Sequence, residues 1–140
     1  MRTNRRVVIL TIAITLLFTV LAVPAQAGPA SSLLSKINSA RSSAGLAPLE
    51  TYWDLTDDAR AHTNRMIAEQ RVFHSGNLAG VTNVWEGISE NVGMHVSVDE
   101  LHAAFMASAG HRANVLGNFN YVGVGAVEDA NGNVWATVIF

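Results

Sequence analysis

An α+β fold, with helices packed on an antiparallel sheet, is what this 140-residue sequence predicts. Three observations lead there. Apolar residues recur at helical spacing in several segments after Gly28. The C-terminal segment YVGVGAVEDANGNVWATVIF alternates instead, and it places Asn131-Gly132 between two strand-like runs, a strong hairpin signal. Helical segments followed by paired strands bury their apolar faces by packing helices on one sheet.

The chain opens with MRTNRR, continues through an apolar run from Val7 to Val23, and then reads PAQAG, with Ala25 and Ala27 where a signal peptidase reads small residues. Residues 1–27 are therefore expected to be a secretory signal peptide and residues 28–140 one folded domain. The run is also near the length of a membrane-spanning helix, so an uncleaved N-terminal anchor, the chain's one expected tie to a membrane, is the alternative. Either outcome makes the domain secreted or extracellular. Arg2, Arg5 and Arg6 leave with the signal while every Asp and Glu stays, so the domain is more acidic than the formal net charge of -2. No basic footprint for nucleic acid is present. With no cysteine, packing and hydrogen bonds alone must hold the fold.

Leu33, Leu34, Ile37, Ala40 and Ala44 fall at helical spacing and Gly45 ends the pattern, which predicts a first helix over Ser32 to Ala44. After the turn GLAPLE, Asp54, Thr56, Asp57 and Asp58 supply capping oxygens and negative charge for a second helix with the stripe Leu55, Ala59, His62 and Met66. Arg71 to Asn91 has no helical or strand period and reads as a long loop, the kind that is often functional. An extra strand is expected near Asn91 to His95. SVDE at Ser97 to Glu100 is a capping box for a third helix with the stripe Val98, Leu101 and Phe105. Ser108 reads as the N-cap of a short fourth helix that stops before Gly117.

Five histidines follow the signal segment. His62 lies on an inward stripe and reads as a core residue, His102 as a boundary residue, and His95 as exposed. His74, in FHSG at the mouth of the long loop, and His111, in the first turn of the fourth helix, are the candidates for chemistry. The positive end of a helix disfavours an imidazolium, and a neutral ring is the form that binds a metal or accepts a proton. A carboxylate that orients an imidazole completes either kind of site. Glu90 in ISENV is the better candidate, and Glu86 reads as solvated. HExxH, thiolate zinc sites, GxSxG and GxGxxG are all absent.

FHSGN, ISENVG, SVDELHAAFMASAGHRANVLGNFNYVGVG and VWATVIF, in this order and spacing, resemble the bacterial branch of the CAP superfamily, whose domain is also called SCP-like. INSARSSAGLAPLE and LTDDARAHTNRM are similar to that family's first two helices. The resemblance implies an α-β-α sandwich, a small antiparallel sheet between helical layers. It also implies a cleft in which His74, Glu90 and His111 match family positions, with His74 and His111 able to hold Zn2+ or another divalent cation. The family's second glutamate falls on Ser108, its usual Gly before the motif glutamate is Ser89, and its usual Pro after the capping serine is Ala109. The disulfides of animal and plant members are missing.

The resemblance leaves three kinds of activity open. The first is binding of a lipid, another small hydrophobic molecule, or a cell-envelope component. The second is metal-assisted hydrolysis of peptide or glycan, with Glu90 as the base. The third is a structural or protein-interaction role at the envelope.

Overall fold

A computed structural model describes residues 27–76, 78 and 85–140. The expected signal peptide and its anchor alternative fall on residues that, apart from Ala27, lie outside the described ones. Among those described, no helix is long and apolar enough to cross a membrane. The elements in order are α1 (Pro29–Ser43), β1 (Glu50–Thr51), α2 (Trp53–Glu69), β2 (Glu90–His95), α3 (Val98–Ala107), α4 (Ala109–Val115), β3 (Tyr121–Glu128) and β4 (Val134–Ile139).

α1 begins earlier than its apolar spacing implied, because Gly28 is the N-cap and Pro29 occupies the first turn. There the fixed φ suits a helix and the missing N–H costs nothing. Leu33 and Ile37 are fully buried, and Gly45 ends the helix at φ 75°. The last turn carries Arg41, buried and with no carboxylate partner among the described residues. Its Nε donates to the Ala47 carbonyl at 2.9 Å, its Nη1 to those of Val115 at 2.9 Å and Gly117 at 2.8 Å, and its Nη2 to that of Phe119 at 3.2 Å. One guanidinium thus ties α1 to the segment that leads from α4 into β3.

The strands form one sheet in the order β1-β3-β4-β2, antiparallel except for β1, which runs parallel to β3 for two residues. So short a pair has no apolar period to betray it. Strand alternation sends Val122, Val124, Val134, Ala136 and Val138 to one face, where they join Leu33, Ile37, Leu101, Phe105 and Val115 of α1, α3 and α4. The opposite face carries Val92, Trp135 and Ile139, which pack with Leu55, Ala59 and Met66 of α2. The layers are therefore helix, sheet and helix, as expected. In the middle of that second face β3 carries Gly123 and Gly125, so the α2 backbone lies directly on the sheet there.

Several local details differ from the sequence reading. α2 has Tyr52 as its N-cap with no side-chain bond, and Thr56 instead returns its hydroxyl to the Tyr52 carbonyl at 2.9 Å. The capping box is half made. Ser97 Oγ accepts from the Glu100 N–H at 3.2 Å, but the Glu100 carboxylate turns to His95 Nδ1 at 2.7 Å. The β3–β4 hairpin closes through a wider loop than a two-residue Asn-Gly turn. Gly132 has φ 82° but Asn131 does not have positive φ, and the Asp129 N–H donates to the Asn133 carbonyl at 2.8 Å. A type I′ turn needs positive φ at both central residues.

Candidate functional site: a buried glutamate paired with His74

α2 ends at Gln70, the one non-glycine residue with positive φ among those described (φ 50°). The chain then returns along α2 and is pinned by His62. This buried ring donates from Nε2 to the Phe73 carbonyl at 2.7 Å and accepts from Arg65 at Nδ1, 2.9 Å. The Phe73 ring packs edge-on against His62 and carries the Arg71 guanidinium 4.5 Å above its centroid. His62 is thus the hydrogen-bonded core residue the sequence implied, and it also fixes the residue before His74.

His74 and Glu90 meet. His74 Nδ1 lies 2.8 Å from Glu90 Oε1, the Ser75 N–H donates to the same oxygen at 3.0 Å, and the Ser75 hydroxyl donates to Oε2 at 2.6 Å. Glu90 is the first residue of β2, and its side chain is 1% exposed while that of His74 is 61% exposed. A buried carboxylate needs such donors to stay charged. Because the carboxylate accepts, His74 presents its proton at Nδ1 and leaves Nε2 toward solvent.

His111 reaches the same region from α4. Ser108 caps that helix, its Oγ 3.5 Å from the His111 N–H. Two asparagines fasten α4 to β2. Asn91 donates to the His111 carbonyl at 3.0 Å, and Asn114 donates to Asn91 Oδ1 at 2.8 Å and to the Glu90 carbonyl at 3.3 Å. The His111 ring sits edge-on to Phe105 at 5.1 Å. Burial, and secondly the nearby His74, hold its pKa below the ordinary imidazole range. The ring is therefore neutral near pH 7, with burial rather than the field of so short a helix as the leading cause.

Glu86 stands apart, exposed, with no bond to either histidine. His95 pairs with Glu100 at the edge of β2, and His102 is half-buried with an Nε2 that finds no partner among the described residues. Ser75, Asn91 and Asn114 escaped the sequence reading. Ser75 and Asn91 each directly follow a candidate residue, and Asn114 stands three positions after His111, on the same helical face. Adjacency is the only signal they carried.

The chemistry of this donor set is limited. Both Glu90 oxygens accept hydrogen bonds and the side chain is closed to solvent, so the carboxylate is not open to a substrate from outside. The Ser75 hydroxyl donates to Glu90 and not to an imidazole, so Ser75 and His74 do not form a serine-histidine nucleophile pair. No three His, Asp or Glu side chains come together as a metal cluster among the described residues. His74 and His111 are near enough for one to lower the pKa of the other, and His74 is braced by a buried carboxylate. Catalytic zinc ordinarily has three protein ligands.

A separate apolar groove of about 210 Å³ opens at the opposite edge of the sheet. β1 covers only the first part of β3, and beyond it Ala30 and Leu34 of α1 flank Val124, with Thr51, Thr56 and Arg60 at the rim.

A three-layer domain, with helices on both faces of a four-stranded sheet and a His74–Glu90 pair at one sheet edge, is the class that the fold and site define. The family model described as the Cysteine-rich secretory protein family, CAP, matches residues 34–140, and the chain belongs to that family. An outer surface protein of Borrelia burgdorferi is similar at TM-score 0.72 and 14% identity, over 80% of this chain and 90% of that one. A cysteine-rich secretory protein of Staphylococcus aureus aligns at TM-score 0.65 and 23% identity, over 79% of this chain and 38% of that one. An extracellular SCP-domain protein of Bacillus anthracis aligns at 0.66 and 22%, over 80% and 39%. The present chain thus spans well under half of those two proteins. At these identities the likeness establishes the fold. Among curated proteins no sequence match is found.

Proposed function

We propose that this chain is a secreted envelope-facing binding module for a small amphiphilic lipid such as a fatty acid, and not a hydrolase. The observation that carries this reading is the contrast between the two edges of the sheet. At one, Glu90 is buried and both its oxygens accept from His74 and Ser75, so a substrate does not reach the carboxylate directly. At the other, Ala30, Leu34 and Val124 form an apolar groove with Arg60 at its rim, where an alkyl segment would be covered and a carboxylate met by a guanidinium. The groove is smaller than the ~300–1,000 Å³ of most ligand pockets, so it takes one end of a chain rather than a whole lipid. The N-terminal apolar run, and relatives described as outer-surface and extracellular, support secretion.

A divalent ion at the other edge would be held by His74 and His111 and would supply positive charge to polarise a bound oxygen. Glu90 then braces His74, and its role in the cleft is to set the ring's tautomer and orientation.

The test is displacement of a fluorescent fatty acid by palmitate, comparing wild type with Leu34→Trp and Arg60→Ala. Filling the groove should weaken binding at least about tenfold, and loss of the guanidinium about three- to tenfold. Equal affinity in all three proteins, or no binding of palmitate or cholesterol by wild type, removes the reading.

A further inference from the structure

A second cavity, of about 390 Å³, lies at the end of the sheet where β3 begins and β4 ends. Its walls include Trp85 and Tyr121, with ring centroids 5.7 Å apart, and Phe119 and Phe140, 5.8 Å apart. Its rim is polar, formed in part by Glu86, Asn118 and Asn120. Among the described residues no Lys, Arg or His lines it and Glu86 is the one charged side chain, a lining hostile to phosphates and uronic acids. The Trp85 indole N–H is itself buried and meets no acceptor among the described residues.

The aromatic surface continues outward. Tyr52 packs edge-on against both Trp85 and Tyr121, at 5.1 and 5.6 Å, and Trp53 stacks beside Tyr52 at 6.1 Å and 28°. Trp53 is 68% exposed although it opens a helix whose inward stripe excludes it. These rings are packed too closely together to cage a cation between them. They present π faces and edges beside amide and carboxylate hydrogen-bonding groups.

A ligand that suits both halves must offer C–H groups on one face and hydroxyls around its edge, with no negative charge. The negative π face attracts the slightly positive C–H groups, and the amides and Glu86 pair with hydroxyl or amino groups. We infer that this cavity is a carbohydrate subsite for a neutral or amino-bearing pyranose, with Trp53 as an outer platform for a further ring of an oligosaccharide. It is independent of the lipid groove, which shares none of its lining residues.

The experiment is titration of the protein with glucose, glucosamine and N-acetylglucosamine and with their β-1,4-linked trimers, followed by the Trp85 indole and the Asn118 and Asn120 amide NMR signals. At least one sugar should shift these signals saturably, with its trimer bound about tenfold more tightly than the monomer. Trp53→Ala should erase the trimer's advantage and leave monomer binding unchanged. Asn118→Ala and Asn120→Ala, at exposed positions where folding is safe, should each weaken binding about three- to tenfold. Saturating palmitate should leave the sugar titration as it was, which separates this inference from the lipid reading. It is overturned if no sugar moves the Trp85 signal, if both Asn variants bind as wild type, or if inorganic phosphate moves the same signals as strongly.

Discussion

Gly123 of β3 is where the fold has least room, and Gly123→Ala tests how the layers are held. A Cβ there would lie 2.0 Å from the Leu55 carbonyl carbon and 2.4 Å from the Thr56 nitrogen, where ordinary contact begins at 3.4 Å, so about 1.4 Å must be found. The obstacle is helix backbone, with no flexible side-chain end to give way. α2 must lift from the sheet, which loosens Leu55, Ala59 and Met66 against Ile139, Val92 and Trp135. Overpacking costs about 1–3 kcal/mol, and a backbone collision belongs at the upper end, so about 3 kcal/mol is expected. At roughly 3–6 °C per kcal/mol for a domain of this size, the Tm should fall by about 10–20 °C. Gly110→Ala is the control, because nothing lies within 4 Å of its added Cβ inside α4. Alanine there should be neutral or stabilising by up to about 1 kcal/mol. Calorimetric melts of the two variants against wild type decide the matter. A fall of less than about 3 °C in Gly123→Ala would mean that α2 does not rest on β3 as described.

Arg41→Ala leaves four carbonyls without their buried guanidinium donors and should cost at least about 3 kcal/mol by urea denaturation; a loss under about 1 kcal/mol contradicts its role as a tie between α1 and the segment leading into β3. Glu90→Gln keeps the shape but weakens the charge-assisted bonds to His74 and Ser75, and because His74 is largely exposed the cost should be only about 1–2 kcal/mol. His102 and His111 are both held below the ordinary imidazole range, by burial first and then by Lys36 and His74 respectively. The unfolded chain therefore binds protons that the folded chain refuses, and stability should fall as pH drops through about 6.5 toward the lower folded values. Urea midpoints between about pH 7.5 and pH 5.5 check this; His102→Asn should flatten part of the slope, and an unchanged slope refutes that share of it. Zinc titration by calorimetry should show weak uptake by wild type and none by His111→Ala, whereas identical heats rule out a two-imidazole site.

The stronger periodic signals in the sequence read through to the structure, and the weaker ones did not. Leu33 and Ile37, Leu101 and Phe105, and the alternation of Val122, Val124, Val134, Ala136 and Val138 all mark buried faces, because burial imposes a period of 3.6 or 2 on apolar residues. β1 was illegible since a two-residue parallel pair has no period. The helix starts misled because Asp54, Asp57 and Asp58 resemble caps while Tyr52 holds the N-cap position without a side-chain bond. His74, Glu90 and His111 could be singled out by residue type and position. That Ser75 would close Glu90 off could not, since it depends on how the chain turns after Phe73, and that turn is set by His62, whose bond to the Phe73 carbonyl appears only in three dimensions.

The central claim is that the ligand enters between α1 and α2 and not over the buried glutamate. Mapping backbone amide shifts while palmitate is titrated into the protein tests it most directly. The account predicts saturable shifts at Ala30, Leu34, Arg60 and Val124, with Ser75, Glu90 and His111 unmoved. Shifts centred on Ser75, Glu90 and His111 with the α1–α2 groove silent would contradict it.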